Sequence, residues 1–108
     1  MSKNTIKIAN CSGFYGDRLS AAKEMVDGGP IDVLTGDYLA ELTMAILYGQ
    51  KIQRGEKAGY VGTFLKQLKQ IASSCSEKNI KVVSNAGGLN PKSMADEVKN
   101  ILDSEGLN

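Results

Sequence analysis

The chain has 108 residues, of which 42% are hydrophobic and 23% charged, and its formal net charge is +1. This length predicts one domain over residues 1–108, and a charge so near zero gives no electrostatic basis for binding nucleic acid or a membrane surface. Histidine is absent from the sequence, which excludes catalytic triads and metal sites built on imidazole. No apolar run reaches the roughly 20 residues of a membrane span, and the start lacks the apolar core of a signal peptide. We therefore expect a cytoplasmic protein, with Cys11 and Cys75 as free thiols.

Three short β-type runs alternate with longer helical patterns. The runs are Thr5–Ala9, Ile31–Thr35 and Ile80–Ser84, and each is followed by polar or glycine residues and then by a helical period. This alternation predicts a parallel sheet with right-handed crossovers, and therefore a Rossmann-like three-layer α/β sandwich with three strands and about four helices. The strand order cannot be read directly from the sequence. With the order 2-1-3, the ends of the first and third strands would meet where the winding reverses, which is where such sheets bind ligands.

The first two predicted helices follow the first two strands. The first is expected to begin after Asp17, a good N-cap, and to end near Asp27. The second is expected to begin near Asp37, and its apolar surface is broad enough to suggest contacts on more than one side. The residues expected to face inward are Leu19, Ala22, Met25 and Val26 in the first helix and Leu39, Leu42, Ala45 and Ile46 in the second.

The other two helices have clearer patterns. Glycines weaken the helical pattern near residue 55, so a loop is expected over Arg54–Gly59. The last helix is expected to open at Asn90-Pro91, a cap followed by proline at the first helical position, and to stop at Gly106. Between them, the third helix carries apolar residues at spacings of three and four: Val61, Phe64, Leu65, Leu68, Ile71, Ala72 and Cys75.

Small and polar residues follow each predicted strand. Because the carboxyl ends of parallel strands lie at one edge of a sheet, these segments are expected to form one ligand crevice. Glycine there lets a ligand approach the backbone, and helix N-terminal amides attract phosphate or carboxylate. No metal site is predicted. The candidate substrate-binding residues are Asn10, Ser12, Gly13, Gly16, Asp17, Thr35, Gly36, Asn85, Gly87, Gly88 and Asn90.

The segment after the first strand has alternative interpretations. The spacing of Gly13 and Gly16 matches neither the dinucleotide fingerprint nor the phosphate loop, so a tight turn with positive φ is the alternative to a ligand contact. Asn10 and Ser12 could hydrogen-bond a ligand or the amides of the turn itself. Cys11 would be a nucleophile if a helix terminus lowered its pKa, and otherwise a buried thiol.

Asp37 also has two interpretations, and they do not exclude one another. It could cap the second helix, or it could present a carboxylate to the crevice as a catalytic acid or base. After the third strand, the adjacent Gly87 and Gly88 exceed what a simple turn requires, which favours a nearby ligand.

Three blocks of the sequence resemble a known family. They are ANCSGFYGD at residues 9–17, GGPIDVLTGDYLAELTM at residues 28–44 and IKVVSNAGGLNP at residues 80–91. They resemble the N-terminal region of the acyclic terpene utilisation (AtuA-like) family, with Asn10-Cys11 as a departure inside the first block. The resemblance spans nearly the whole chain, but family members are several times longer than 108 residues. It implies that this chain is the N-terminal part, or a small subunit, of a larger AtuA-like protein.

The same resemblance implies a function. Family members are associated with the cytoplasmic catabolism of acyclic terpenes and other branched acids as coenzyme A thioesters. For this chain it implies part of an enzyme with lyase or hydratase chemistry on an acyl thioester, with Asp37 as acid or base and coenzyme A entering as part of the substrate. Two alternatives remain open: a non-catalytic module that docks a larger subunit or forms a homo-oligomer, and a module that binds a nucleotide or a phosphorylated metabolite.

Overall fold

The computed structural model describes residues 5–39 and 41–107. These ranges form three parallel strands and four helices, which confirms the α/β class. In chain order the elements are β1 (Ile8–Asn10), α1 (Ala21–Asp27), β2 (Val33–Gly36), α2 (Glu41–Arg54), α3 (Gly62–Lys78), β3 (Lys81–Ser84) and α4 (Pro91–Ser104).

The strand order is β1-β2-β3, so the order 2-1-3 considered from the sequence is wrong. Strand β2 lies in the centre and pairs in parallel with both neighbours: Leu34 lies opposite Ala9 on one side and Val82 on the other. The centre suits the sequence of β2, because its side chains are buried or half-buried along its whole length. The outer strands have lysine in or beside them, at Lys7 and Lys81, and lysine is common at exposed sheet edges.

Helices α1, α3 and α4 lie on one face of the sheet, and the expected third layer is not found in the described ranges. Each crossover moves one strand along in the same direction, so crossovers of one handedness place α1 and α3 on the same face. Those two helices pack closely against each other, and α4 packs on α3. On the opposite face Ile8 and Val83 are 64% and 58% exposed. A three-layer sandwich would require the winding to reverse, and the observed strand order contains no reversal.

The core of the sheet lies between its covered face and these helices. Ala9, Leu34 and Val82 pack against the buried apolar residues of α1 and α3. Helix α3 follows its predicted pattern closely, with Phe64, Leu68, Ile71, Ala72 and Cys75 all buried. Both cysteines are buried free thiols, as the sequence predicts. Helix α4 also begins as predicted, because the Asn90 side chain accepts a hydrogen bond from the Ser93 amide at 3.2 Å.

The starts of α1 and α2 differ from their predictions. Helix α1 begins at Ala21, three residues later than predicted. The Asp17 side chain does not cap it, because its Oδ1 accepts a hydrogen bond from the Arg18 amide in the preceding turn. Asp37 is not the N-cap of α2, because the described helix begins at Glu41 and the Asp37 carboxylate bonds the Leu39 amide instead.

Helix α2 also presents a different face to the core than its sequence predicts. Its buried residues are Thr43 and Leu47, whereas Leu42 is 72% exposed and Ile46 37% exposed. Leu47 packs with Tyr38, Val61, Phe64 and Ala86, so α2 lies over the carboxyl edge of the sheet. The side of α2 opposite Leu47 therefore forms an outward apolar stripe, composed of Leu42, Ala45, Ile46, Tyr48, Gly49 and Ile52.

Gly88 fixes this arrangement by its lack of a side chain. Its φ is +53°, and a Cβ there would lie 2.5 Å from Leu47 Cδ1 and 2.9 Å from the carbonyl oxygen of Gly59. We expect Gly88→Ala to lower the free energy of unfolding by about 1–3 kcal/mol, because it adds both backbone strain and a steric clash. Urea denaturation measures this change. The control is Gly29→Ala, where no atom lies within 4 Å of the added Cβ; an equal effect in both variants would contradict the packing explanation.

Candidate functional site

Asp37 and Asn85 meet at the carboxyl edge of the sheet. Asn85 Nδ2 donates to Asp37 Oδ1 at 2.9 Å, and Asn85 Oδ1 accepts from the Tyr38 amide at 2.9 Å. The Leu39 amide donates to the same Asp37 oxygen at 3.3 Å. Within the described part of the chain, Oδ2 of Asp37 has no hydrogen-bond partner, and the residue is exposed. Asp37 therefore has one oxygen anchored and one oxygen open to a ligand.

A shallow cleft of about 330 Å³ surrounds this carboxylate. Asn10, Thr35 and Val83 occupy neighbouring positions on the three strands, so they lie on the same uncovered face. The cleft thus opens on the side of the sheet that carries no helix. Its lining consists of Asn10, Thr35, Gly36, Asp37, Val83, Ser84 and Asn85.

The loop after β1 forms a second cleft, of about 350 Å³, around other predicted residues. Asp17 closes this loop with both carboxylate oxygens: Oδ2 accepts from the Gly13 amide at 2.9 Å and Oδ1 from the Arg18 amide at 2.8 Å. These amides hold the pKa of the Asp17 carboxyl below its usual range. Gly16 has a φ of +90°, which fits the turn interpretation. The predicted residues that line this cleft are Asn10, Ser12, Gly13 and Asp17.

The predicted donor side chains already donate to protein atoms. Asn10 Nδ2 donates to the Ser12 carbonyl at 3.0 Å, and the Ser12 hydroxyl donates to the Phe14 carbonyl at 3.1 Å. The Thr35 hydroxyl donates to Asn10 Oδ1 at 3.2 Å, and the Asp37 amide donates to the Ser12 carbonyl at 3.0 Å. These side chains fix the loops relative to one another by donating to carbonyl oxygens and to Asn10 Oδ1, whereas the sequence suggested bonds to the amides of the turn. A ligand contact for Asn10 and Ser12 stays a prediction.

The structure does not bring Gly87, Gly88 and Asn90 into the cleft beside Asp37. A Cβ on Gly87 would lie 2.8 Å from Pro91 Cα, so packing between the loop and α4 accounts for this glycine. Asn90 Nδ2 donates to the Ala58 carbonyl at 3.0 Å while its Oδ1 caps α4. The paired glycines are thus explained by close packing of loops, although a ligand contact stays a prediction for all three residues.

Tyr38 connects the edge of the sheet to the core, a role that the sequence patterns do not predict. Tyr38 is only 2% exposed. Its hydroxyl donates to Gln67 Oε1 and lies 3.7 Å from Cys11 Sγ. Gln67 Nε2 donates in turn to the Leu19 carbonyl at 3.3 Å. The ring lies directly over Gly36, where a Cβ would be 2.5 Å away, and it meets Phe64 edge-on at 5.9 Å.

The sequence does contain a signal for this network. Gln67 is a polar residue on the otherwise apolar stripe of α3, and it is buried. Burial raises the pKa of both the Tyr38 hydroxyl and the Cys11 thiol, so both groups stay protonated near neutral pH. Cys11 therefore lies in a buried, protonated state, which favours the spectator interpretation over the nucleophile.

A larger, mainly apolar cleft of about 600 Å³ lies along the outer edge of β3, between that strand, α3 and α4. It contains no carboxylate, so its size alone does not make it a reaction centre. Ser84, which also lines the cleft beside Asp37, is common to both. The apolar walls of the larger cleft are formed by Phe64, Leu68, Ala72, Ile80, Val82, Met94, Ala95, Val98, Leu102 and Leu107.

Comparison with known families agrees with the three sequence blocks. The family model described as "Acyclic terpene utilisation family protein AtuA" matches residues 6–108. The chain belongs to this family. Membership assigns the AtuA chain to acyclic terpene utilisation at the level of its general role.

Other comparisons add nothing to this assignment. No curated protein and no solved structure matches the AtuA chain. In residues 5–39 and 41–107, no helix is both long enough and apolar enough to cross a membrane. In the same ranges there is no group of three or more His, Cys, Asp or Glu side chains that could hold a metal ion.

The Tyr38 hydroxyl offers a direct test of the link between edge and core. We expect Tyr38→Phe to lower the free energy of unfolding by about 1–2 kcal/mol, because it leaves the buried Gln67 carbonyl without its donor. Tyr48→Phe is the matched control, since Tyr48 is 61% exposed on α2. Urea denaturation measures both variants. Equal stability of Tyr38→Phe and the wild type would show that the buried bond contributes nothing.

Proposed function

We propose that this AtuA chain contributes the carboxyl edge of its sheet to a cytoplasmic catabolic enzyme acting on branched acyl-coenzyme A thioesters. The reaction class is that of a lyase or a hydratase. The observation that carries the proposal is the Asp37 carboxylate, which is held through Oδ1 and open at Oδ2. The family match supports a terpene-derived substrate.

Asp37 is the acid or base in this proposal. Lyase and hydratase reactions next to a thioester carbonyl move a proton on and off carbon or water, and an exposed carboxylate can accept that proton and return it. Asn85 acts as a positioning residue, because it donates to the anchored oxygen while its own carbonyl is fixed by the Tyr38 amide. This leaves the open oxygen with a defined direction at the end of β2.

The apolar cleft beside β3 supports an acyl substrate. Its volume of about 600 Å³ is within the usual range for small-molecule sites, and its walls are mainly aliphatic. A branched hydrocarbon chain would bury apolar surface there without leaving polar groups unpaired. Ser84 lines both this cleft and the one beside Asp37, so the two clefts are neighbours at the end of β3, and an acyl chain that enters the apolar cleft would pass around the end of this strand.

The test is Asp37→Asn, which keeps the size of the side chain but removes its basicity. We expect turnover of branched acyl-coenzyme A substrates to fall by about 10²-fold or more, because general acid–base catalysis typically contributes 10²–10⁴-fold. Mass spectrometry of the products measures turnover, and thermal unfolding verifies the fold.

Asp103→Asn is the matched control, since Asp103 is an exposed carboxylate on α4 that pairs with Lys99 at 2.7 Å. Wild-type turnover in Asp37→Asn would remove Asp37 from the chemistry. Loss of turnover in the Asp103 control as well would point to a general effect on the fold.

A second candidate function is a non-catalytic module whose surface associates with another protein chain, and the outward stripe of α2 favours it. Leu42 and Ile52 are 72% and 67% exposed on that stripe, and the uncovered sheet face adds exposed Ile8 and Val83. Apolar surface of this extent is typical of interaction sites. A second copy of the chain would be the simplest partner, because the net charge of +1 opposes self-association very little.

Light scattering over a range of concentrations tests this candidate. We expect the mass of the wild type to exceed that of one chain, and Leu42→Gln with Ile52→Gln to reduce it to the monomer. The double variant removes apolar surface from the stripe and adds polar groups that would be buried at a contact. Met25→Gln is the control on α1, where the side chain is 37% exposed. A wild type that stays monomeric throughout would contradict association through α2.

A further inference from the structure

Three cationic side chains converge on a cleft that neither proposed function uses. The cleft, of about 500 Å³, lies between the end of α2, the following loop and the start of α3. Arg54, Lys57 and Lys66 line it, and no carboxylate does. Its other walls are Tyr15, Gln50, Ala58, Gly59, Tyr60, Gly62 and Thr63.

Within the described ranges, these three cations have no ion-pair partner, unlike several lysines on α1 and α4. Lys23, Lys92 and Lys99 each pair with an aspartate one turn along the helix. Lys66 has Gly62 and Gln70 at the corresponding positions, and neither can neutralise it. Among the described residues, Arg54, Lys57 and Lys66 form no ion pair. Three positive charges thus line one concave space that no carboxylate of the described residues lines, although the Glu97 carboxylate is close enough to raise the pKa of Tyr60 on its wall.

The backbone at the same place adds donors to this charge. The N-cap of α3 is Val61, which has no side-chain cap, and the first turn of α3 contains no acidic residue. The first amides of a helix have no partner within the helix, so those of Gly62 and Thr63 are available at the cleft wall. Gly62 is exposed and has no atom within 4 Å of an added Cβ, so no distant part of the described chain packs on this glycine. Partial positive charge at this terminus reinforces that of the three side chains.

We propose that this cleft binds an organic phosphate with two or more negative charges, either a phosphomonoester or a diphosphate. Guanidinium and ammonium groups with backbone amides are the donors that phosphate oxygens accept. The volume of about 500 Å³ exceeds that of a phosphate group, so the cleft has room for an organic substituent, and Tyr15 and Tyr60 are among its walls. Phosphate binding stands apart from the role of Asp37. The proposed enzyme function is needed for one point only, namely that the bound ligand is a coenzyme A thioester.

Titration calorimetry at low salt, with four probes, distinguishes the sources of the phosphate. Inorganic diphosphate, ADP and coenzyme A carry the proposed group, and pantetheine lacks it. We expect the first three to bind with affinities that fall as salt is added, and pantetheine not to bind. Tighter binding of coenzyme A than of ADP would identify the coenzyme as the source, whereas equal binding would identify a general nucleotide or phosphate site. Binding of pantetheine as tight as that of coenzyme A would overturn the proposal.

Lys66→Gln and Lys57→Gln test the residues. Each is expected to weaken diphosphate binding about tenfold, the usual effect of losing one charge-assisted hydrogen bond. Lys69→Gln is the matched control, because Lys69 is exposed on the same helix but does not line the cleft. Amide chemical shifts of Gly59, Gly62 and Thr63 should move with diphosphate. Equal affinity in the wild type and both cleft variants, or shifts confined to other residues, would overturn the proposal.

Asp37→Asn separates this site from the proposed function. Phosphate binding is expected to persist in that variant even where turnover is lost, because Asp37 does not line the cationic cleft. Loss of diphosphate binding in Asp37→Asn would overturn the separation of the two sites. Intact binding together with unchanged turnover would contradict the enzyme proposal alone.

Discussion

The arrangement of the carboxyl edge depends on how Tyr38 is held. Its amide is bonded by Asn85 from the end of β3, and its hydroxyl reaches Gln67 on α3 and approaches Cys11 after β1. One residue therefore ties together the ends of all three strands and the helix that covers them. A buried hydroxyl or amide that loses its hydrogen-bond partner lowers the free energy of unfolding. The geometry of the edge is therefore linked to the stability of the core.

The central position of β2 explains why the edge is organised around Asp37. In the observed order, the residue after β2 has a strand end on either side, and Asn10 and Asn85 come from those two ends. An order with β1 in the centre would have placed the glycine loop of residues 10–17 between the others. The observed order makes that loop a flank, and Asp17 uses its carboxylate to close it.

The sequence predicted the elements better than their arrangement. The apolar spacing of α3 and the Asn90-Pro91 start of α4 are local patterns, and both were confirmed. The inward face of α2 was wrong because apolar residues surround that helix, so periodicity alone could not select Leu47 over Leu42. The strand order depends on contacts between distant segments, although lysines beside the two outer strands were an available signal.

The candidate site shows the same division between local and distant information. Asp37 was recognised by its position after a strand, yet its anchoring by Asn85 joins residues 48 positions apart. Gln67 was visible as a polar interruption of an apolar stripe, but its partner Tyr38 could not be inferred from spacing. The paired glycines after β3 were assigned to a ligand because contacts with Leu47 and Pro91 cannot be read from the sequence.

Because α1, α3 and α4 all lie on one face of the sheet, the activity proposed for Asp37 would depend on protein concentration. The cleft beside Asp37 opens on the bare face, next to exposed Val83. Any chain that covers this face would also enclose the carboxylate and exclude water from it, which strengthens electrostatic interactions there. Assembly and catalytic competence would then obey the same mass-action law. If the chain acts as proposed and assembles through this face, specific activity rises with enzyme concentration and falls on dilution.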